Sequence, residues 1–402
     1  MTEKMIRPEA CVDLLRQMVA IPSESENEKR LAVFIHQYLK EELGMEAWLQ
    51  PVGDNSVNVI GSWKKPEATR RLILGGHLDT VLPADGWETN PYELCQRGKK
   101  LHGLGAADMK GGLACQLLVL KQLQKYKDSL DIEIQFVGLA DEERHSVGAH
   151  AYVKWEKTRQ ETRPTFFIMG EPHFDNIVIG ATGKVLLSFR ITGKEGHAAE
   201  PESGVNAIEC MAGLLKAIQE KYGPRYQEGK NGSVCCLKIE SEYPGYSMTI
   251  PAQCSCLVNK QLLAGENIEE FIADVQAIFR EKIGAGSLHI AKEIPSYPAY
   301  QLPADQPDVE KLRRFLKEQF HHQPEFKINQ SVSDGNIFYN MLGIPTVLFG
   351  PDGVGFHTEK ECVDRTSLER YMQELLGYIL AEYGIENVPR ADAKQNGSAC
   401  VT

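Results

Sequence analysis

The sequence predicts an α/β protein with a mixed, mainly parallel sheet flanked by helices and a smaller α+β domain inserted into it. Three observations predict this fold class: strands alternate with helices in the first part of the chain, another order of elements begins near Gly183, and the first pattern returns after Pro303. The length of 402 residues suits two domains. We expect a discontinuous first domain, an inserted second domain and a loose tail, with bounds 1–183 and 298–388, 184–297, and 389–402 respectively.

The elements of the first domain follow from hydrophobic periodicity. Apolar residues at helical spacing between Cys11 and Val19 predict a first helix, which ends before Pro22. The later elements are a helix near 25–43, strands at 57–60 and 71–74, an apolar helix at 109–123, and strands at 132–137 and 166–169. Because parallel strands need crossover connections, this alternation predicts a sheet with substantial parallel character.

The inserted domain begins with alternating apolar residues at Val185–Ile191, which predict an antiparallel strand. The elements that follow are a helix at 203–221, strands at 234–239 and 252–258, a helix at 265–283 and a strand near 288. This strand–helix–strand–strand–helix–strand order is ferredoxin-like. The α/β pattern then returns with a helix near 308–320, a buried strand at 345–349 and a final amphipathic helix at 366–383.

Composition limits the class of partner. The formal net charge of −11 argues against binding to nucleic-acid phosphates or to anionic membrane surfaces, both of which need clustered Lys and Arg. The N-terminus shows no secretory signal pattern, and no stretch approaches the roughly 18 apolar residues that span a bilayer. We therefore expect a cytoplasmic protein without nucleic-acid or membrane partners.

The ten cysteines are interpreted as free thiols of a reducing compartment rather than a disulfide framework. Cys115, Cys210, Cys235 and Cys236 lie in apolar runs, which predicts that they are buried. Cys254 and Cys256 are spaced as a metal or redox pair would be. Strand alternation places both on one face, so the plain strand interpretation is favoured.

Acidic and imidazole side chains recur just after the predicted strands or before a helix; they are His77, Asp79, Asp108, Glu142, Glu143, Glu171 and His357. In open α/β sheets, ligands bind beyond the carboxyl ends of the strands. Gathering so many carboxylates there is unfavourable unless a cation is present. Carboxylates and imidazoles without thiolates favour zinc or a similar divalent ion in a catalytic site, and their number suits two ions that share one carboxylate.

Taken singly, these residues have simpler interpretations. Glu142 and Glu143 can form a solvated loop pair, Asp108 can cap a helix, and Glu171 can simply end a strand. His357 can line a turn. Their joint occurrence after strands favours the metal site.

Six segments carry a resemblance to a known family; they are GGHLDTVLP (75–83), GLGAADMKGG (103–112), ADEE (140–143), GEP (170–172), GKEGHAAEPESGVNAI (193–208) and GPDGVGFHTEKECV (350–363). The sequence resembles the co-catalytic zinc hydrolases that include acetylornithine deacetylase, succinyl-diaminopimelate desuccinylase, aminoacylases and glutamate-releasing carboxypeptidases. The segments run in family order over nearly the whole chain. The resemblance implies a zinc-peptidase-like catalytic domain and an inserted lid or dimerisation domain.

The resemblance also implies a set of metal ligands for two Zn²⁺ ions, with Co²⁺ as a possible substitute. His77 and Glu171 would bind one ion, Glu143 and His357 would bind the other, and Asp108 would bridge both. A subclass of the family that acts on amide-conjugated hormones has a cysteine among its ligands. Asp108 argues against that subclass here.

Three further residues have catalytic roles in the family. Asp79 would accept the second ring N–H of His77 and so set the tautomer of that ligand. Glu142 would be the general base, taking a proton from the water and delivering it to the leaving nitrogen. His197 resembles a histidine that reaches into the active site of the partner subunit, which implies a homodimer formed through the inserted domains.

Substrate recognition departs from the family pattern. The family has an asparagine where this chain has Met248, and its carboxylate-binding arginine aligns with Gln261. Lys260 is the neighbouring cation, but lysine does not reproduce a bidentate arginine. Backbone N–H groups near Ser333 and Gly353 are alternative donors to an anion. Lys260, Ser333 and Gly353 are therefore the candidate substrate-binding residues.

Together these observations predict metal-dependent hydrolysis of an amide bond in an N-acyl amino acid, of the deacetylase or desuccinylase type. A di- or tripeptidase or a carboxypeptidase using the same site is the alternative. A more remote alternative is a non-catalytic binding module of the same fold. Such a module is expected to lack one of the ligands or the base, whereas all of these residues are present in this sequence.

Overall fold

The structure is a computed structural model that describes residues 7–241 and 248–384. The chain divides into two compact units. The first runs through Ile179 and includes Leu302–Lys327 and the residues from Ile337 onward; the second comprises Gly180–Gln301 and Ile328–Asn336. The segment expected as an insertion, 184–297, lies within the second unit. The expected tail, 389–402, lies outside the described residues.

The two units differ in three places from the division expected from sequence. Residues 180–183 and 298–301 group with the second unit, although they were expected in the first domain. The same holds for residues 328–336. They connect a strand and a helix whose other residues belong to the first unit. Such a return of the chain gives no compositional signal in the sequence.

The first unit contains the α/β elements that precede the second unit; they are α1 (Pro8–Val19), α2 (Lys29–Gln37), β1 (Glu46–Pro51), β2 (Val57–Trp63), β3 (Arg71–His77), β4 (Cys95–Arg97), β5 (Lys100–His102), α3 (Gly111–Leu123), β6 (Glu133–Leu139), α4 (Val147–Arg159), β7 (Thr165–Met169) and β8 (Asn176–Ala181). The last residues of β8 lead into the second unit. The alternation of strands and helices expected for this part of the chain is confirmed.

The second unit follows the ferredoxin-like order; its elements are β9 (Gly183–Thr192), α5 (Ala207–Gln227), β10 (Val234–Glu240), β11 (Gln253–Leu262), α6 (Ile268–Ile278), β12 (Ser287–Tyr297) and β13 (Tyr300–Gln301). The remaining elements are α7 (Pro307–Phe320), β14 (Glu325–Asn329), α8 (Asp334–Leu342), β15 (Thr346–Leu348), β16 (Gly353–Val354), β17 (Cys362–Asp364) and α9 (Arg365–Tyr383).

The main sheet has the strand order β1-β2-β6-β3-β7-β15-β8 in the first unit. The four central strands β6, β3, β7 and β15 run parallel to one another, while β1, β2 and β8 are paired antiparallel at the two sides of this group. Residues of β2, β3, β6 and β7 are buried throughout, as expected for strands covered on both faces. The carboxyl ends of the four central strands therefore meet at one edge of the sheet.

A second sheet, in the order β10-β11-β9-β12, is antiparallel and forms the core of the second unit with α5 and α6. Cys254 and Cys256 alternate on β11 toward that core and are buried, which confirms the strand interpretation of this pair. The expectation of burial is wrong for Cys235 and Cys236. Both are exposed because β10 is an edge strand of this sheet.

A third, small sheet was not predicted. Its order is β16-β17-β5-β4, and its strands are two or three residues long. The pairing of Cys362 with His102 brings the segment after β15 beside the segment before α3. Strands this short show no periodicity, so only the folded chain reveals them.

Helices of the first unit pack on the main sheet and on one another. Helix α3 contacts β3, α1 and α9, and α2 contacts β1 and β2. Throughout the part of the chain that the structure describes, the helices are too short or too polar to traverse a bilayer.

Candidate metal centre

The first cluster of possible ligands lies where β3 and β7 end. His77 is the last residue of β3, and its Nε2 lies 3.1 Å from Oδ1 of Asp108 and 3.7 Å from Oε1 of Glu171. His77 and Glu171 are 1% and 7% exposed. Glu171 follows β7 by two residues. The parallel pairing of β3 with β7 therefore brings these two side chains to the same edge of the sheet.

The second cluster uses the other oxygen of the same aspartate. Nε2 of His357 lies 3.6 Å from Oδ2 of Asp108 and 3.0 Å from Oε1 of Glu143. Glu143 follows β6, and His357 lies in the loop between β16 and β17. The small sheet pairs β17 with β5 and thereby brings the His357 loop beside the segment that carries Asp108.

Both clusters have the geometry of metal ligands. In the sets His77–Asp108–Glu171 and Asp108–Glu143–His357, one ligand atom of each residue lies within 4.8 Å of the others. A third such set contains His77, Glu142 and Glu143. Asp108 belongs to the first two of these sets, and one of its oxygens faces each histidine. This is the arrangement that a pair of ions sharing one carboxylate requires.

The electrostatics of these clusters also favour cations. Burial opposes the charge of Asp108, but hydrogen bonds with His357 and His77 hold the pKa of its carboxyl well below the ordinary value. The contacts with Asp108 and Glu143 raise the pKa of His357 to about 10. Burial lowers the pKa of His77, but Glu171 and Asp108 outweigh it and raise that pKa. The carboxylates therefore attract positive charge to both imidazoles.

The donor set fits divalent metal ions of the zinc type. Imidazole nitrogens and carboxylate oxygens are their usual ligands in catalytic sites. Three carboxylates from separate loops face two histidines here, so two bound ions would replace the protons that the histidines hold in their absence.

Two acceptors of Asp79 lie near the ring of His77. Nδ1 of His77 lies 3.0 Å from the backbone carbonyl oxygen of Asp79 and 3.6 Å from its carboxylate. The carbonyl oxygen is thus the nearer acceptor for a ring N–H at Nδ1. The role of the Asp79 carboxylate toward this ring stays a prediction.

The Asp79 carboxylate has another task. It accepts the backbone N–H groups of Glu142 and Glu143, each at 3.0 Å, and the hydroxyl of Ser25 at 2.7 Å. Asp79 is fully buried. It therefore fixes the backbone of the segment that presents the predicted base and one predicted ligand. Sequence spacing gives no signal for this contact, since it joins loops after two different strands.

The model of peptidase family M20/M25/M40 matches residues 73–381, which is more than half of the chain and includes every predicted metal ligand. The chain belongs to peptidase family M20/M25/M40. It is thus a metal-dependent hydrolase of amide bonds, as the sequence predicts.

Relatives of this family member cover nearly its whole length. It is 27% identical to acetylornithine deacetylase of Proteus mirabilis (strain HI4320) over 405 aligned residues, which span 92% of this chain and 96% of that protein. A tripeptidase from Staphylococcus aureus has the same fold, with a TM-score of 0.77 and 21% identity, over 94% of this chain and 98% of that one. A dinuclear metal-binding M20 peptidase from Bacillus subtilis superposes with a TM-score of 0.71 at 14% identity, over 94% and 98% of the two chains.

Lys260, one of the predicted substrate-binding residues, is engaged within the second unit. It is 1% exposed, and its ammonium donates to the carbonyl oxygens of Gly232 and Gln261 and to the Glu266 carboxylate. This geometry favours a structural role for Lys260 over the predicted contact with a substrate. The three N–H donors of the Lys260 ammonium are matched by these three acceptors. The position of Lys260 in the sequence does not reveal this arrangement.

Ser333 and Gly353 offer fewer donors than expected. The N–H of Ser333 donates to the side chain of Asn336, and the Ser333 hydroxyl accepts the N–H of Gly335. Gly353 lies on β16 and pairs with Val363 of β17.

His197 lies in the second unit and belongs to none of the three clusters. Its side chain is exposed, and its Nδ1 accepts the N–H of Ala199 at 3.1 Å. The surrounding loop is held by a hydrogen bond from the His197 N–H to the Ser203 hydroxyl. The imidazole is thus presented at the surface of the second unit.

Proposed function

We propose that this protein hydrolyses the amide bond of an N-acyl amino acid, of the deacetylase or desuccinylase type. The observation that carries this proposal is the sharing of Asp108 between two histidine–carboxylate clusters. The likeness to acetylornithine deacetylase over nearly the full length of both chains supports the substrate class.

The proposed ligands are His77 and Glu171 for one ion, Glu143 and His357 for the other, and Asp108 for both. We propose Zn²⁺ as the natural ion and Co²⁺ as a functional substitute. Two such ions supply a polarised substrate carbonyl and a water of lowered pKa.

Glu142 is the proposed general base. It directly precedes the proposed ligand Glu143 on the same loop, and one of its oxygens lies within 4.8 Å of ligand atoms of His77 and Glu143. A carboxylate at this place takes the proton of the attacking water and returns it to the leaving nitrogen. Asp79 holds the backbone of this loop and so fixes the direction of Glu142.

A peptidase function is the second candidate. The observation that favours it is the fold likeness to a tripeptidase, which covers 94% of this chain. The same metal centre and the same base serve both reactions, because each breaks an amide bond. Only the groups that recognise the substrate distinguish them.

A substrate panel on one preparation decides between the candidates. The protein is loaded with Zn²⁺ or Co²⁺, its metal content is measured, and it is assayed with N-acetylornithine, N-succinyl-diaminopimelate, and series of dipeptides and tripeptides. We expect the highest kcat/KM for an N-acyl amino acid. Highest kcat/KM for a tripeptide supports the second candidate, and a metal-loaded protein that hydrolyses none of them contradicts both.

We also propose that the protein is a homodimer formed through its second units, in which His197 completes the partner's active site. The exposed edge strand β10 carries Leu237 and Ile239, which are 57% and 51% exposed. An apolar edge strand of this kind favours pairing with another copy. Twice the chain mass of 44.9 kDa is then expected in solution.

Mixed dimers test the role of His197. The variants H197A and E142A are each expected to be inactive, while each mixed dimer contains one site with both native residues. Random exchange of subunits should therefore restore about one quarter of the parental activity. Mixed dimers that are shown to form and yet stay inactive would contradict this proposal.

A cytoplasmic location is proposed from cysteine chemistry. The cysteines within the described residues are free thiols, two of them exposed on β10. Exposed thiols persist in reducing compartments. Cell fractionation with the activity as marker tests this proposal.

A further inference from the structure

Glu361 is a buried carboxylate that the metal centre described above does not use. It is 2% exposed and lies directly before β17, four residues after His357. Its Oε2 accepts the N–H of Gly105 at 2.9 Å, and its Oε1 accepts the N–H groups of Ala107 and Asp108 at 3.0 and 3.1 Å. Three backbone donors of one short loop thus converge on one side chain.

The backbone of Glu361 adds a fourth contact to the same segment. Its carbonyl oxygen accepts the N–H of Gly103 at 3.4 Å. The pairing of β17 with β5 continues this contact on the other side of Glu361. One residue therefore joins the loop that carries His357 to the loop that carries Asp108.

A carboxylate at this position has an electrostatic cost. Burial opposes the charge of the Glu361 carboxylate, and the neighbouring carboxylate of Asp108 repels it as well. An apolar side chain would avoid this cost but would leave three buried N–H groups without an acceptor, which is strongly unfavourable. The hydrogen bonds from the backbone N–H groups act in the opposite direction and favour the charged carboxylate.

We propose that Glu361 is a positioning residue of the metal centre. By accepting the N–H groups of Gly105, Ala107 and Asp108, it sets the direction of the Asp108 carboxylate, so that one oxygen faces each histidine. Glu361 touches neither ion nor substrate; it acts through Asp108. This inference rests on the metal centre proposed above.

The test measures metal binding as well as activity. Zn²⁺ affinity is determined by competition with a chelator, and the visible spectrum of the Co²⁺-loaded protein reports ligand geometry. The variants are E361Q, which replaces one acceptor oxygen by an N–H₂ donor, and E361D, which keeps the charge but shortens the reach by one methylene. E359Q is the matched control, since Glu359 lies in the same loop, is partly exposed and bonds none of these N–H groups.

We expect E361Q to bind Zn²⁺ roughly 10- to 100-fold more weakly than the parent, which is the usual effect of losing a partner of a metal ligand. The Co²⁺ spectrum of E361Q should change, kcat should fall more than KM rises, and E361D should show a smaller loss than E361Q. E359Q should match the parent in all three measurements.

The controls separate failure of this proposal from failure of the metal centre. The parent's own stoichiometry is measured first, and a parent that binds no pair of ions contradicts the metal centre itself. Folding of each metal-free variant is verified by circular dichroism before titration. A folded E361Q or E361D with parental Zn²⁺ affinity and a parental Co²⁺ spectrum would overturn the positioning role, and so would an equal loss in E359Q.

Discussion

At the residue scale, the site depends on carboxylates with two different tasks. Asp108 faces both histidines directly, with Nε2 atoms of His77 and His357 at 3.1 and 3.6 Å. Asp79 and Glu361 are instead turned toward backbone N–H groups of the loops that carry the proposed ligands. Ligands supplied by loops need such supports, because a loop backbone is otherwise free to move.

The role of Glu142 gives the first prediction. E142Q should retain both metal ions and lose roughly 10²- to 10⁴-fold in kcat, since an amide cannot accept the proton of the attacking water. Metal analysis and steady-state kinetics on one preparation check this. The matched control is E42Q, because Glu42 is an exposed glutamate paired with Lys121. Near-parental turnover of E142Q would assign the base to another group.

At the element scale, the carboxyl ends of the central strands bring the predicted ligands together. His77 ends β3, and Glu143 and Glu171 follow β6 and β7. Each of these residues lies at the end of, or shortly after, a strand that hydrophobic periodicity predicts. Their convergence was therefore predictable from the sequence, since parallel neighbours end at the same edge.

Helix α3 must approach this edge closely. A Cβ placed on Gly112 would lie 1.8 Å from the carbonyl oxygen of Gly170, which directly precedes Glu171. G112A should therefore destabilise the protein by about 1–3 kcal/mol, since neither backbone can yield without moving the helix or the strand end. Urea unfolding measures the change, and weaker Zn²⁺ binding should accompany it.

A helical glycine of the second unit is the control for this variant. A Cβ on Gly223 of α5 would meet only the flexible amide end of Gln219. G223A should lose less stability than G112A, because its Cβ meets only a side-chain end that can move; Pro224 next to it offsets the usual helical gain of alanine. Equal stability of G112A and the parent would show that α3 has room to move.

The connection between α4 and β7 gives a prediction on pH. The hydrogen bond from Arg163 lowers the pKa of Glu161 to about 2, from an ordinary value of 4.5. A carboxyl with a lower pKa in the folded than in the unfolded protein stabilises the fold above pH 4.5, and this contribution is lost as the pH falls from about 4.5 toward 2. E161Q should therefore be less stable than the parent at pH 7, and the difference should shrink below pH 4.5.

Urea unfolding of both proteins at several pH values measures this difference. The control is E46Q, because the ion pair of Glu46 with Lys64 is exposed and such pairs contribute little. A free-energy difference between E161Q and the parent that stays constant down to pH 3 would contradict the role of the Arg163 contact.

At the scale of the whole molecule, the proposed ligands range from residue 77 to residue 357 and come from five separate segments of the first unit. Ions that bind only to the folded protein stabilise it. The gain in the free energy of unfolding grows with the logarithm of the ion concentration divided by Kd. Removal of metal by a chelator should therefore lower the Tm and abolish hydrolysis, and added Zn²⁺ or Co²⁺ should restore both.

Differential scanning calorimetry and activity on the same samples check this prediction. H357A is the useful comparison, because it lacks one proposed ligand and should respond less to the chelator than the parent does. If metal analysis shows that the ions have been removed and the activity is still complete, the metal mechanism is contradicted.

The limits of sequence reasoning are clearest at particular residues. The charge of Lys260 predicts a substrate contact, but its ammonium is buried against Gly232, Gln261 and Glu266. Asp79 is close to His77 in sequence, yet its carboxylate accepts the backbone N–H groups of Glu142 and Glu143, which the spacing does not indicate. Side-chain direction depends on packing from several elements, and local spacing carries no information on it.

The sequence by itself determined the α/β class, the ferredoxin-like order of the second unit, and the positions of the predicted ligands after strands. These features depend on the alternation of apolar and polar residues, which acts over a few neighbours. Only the tertiary structure decided that the small sheet brings the His357 loop beside Asp108, and that Asp79 and Glu361 bond the backbone of the ligand loops. Those contacts join residues 63 to 256 positions apart, and long-range contacts of that kind are set by how the whole chain packs.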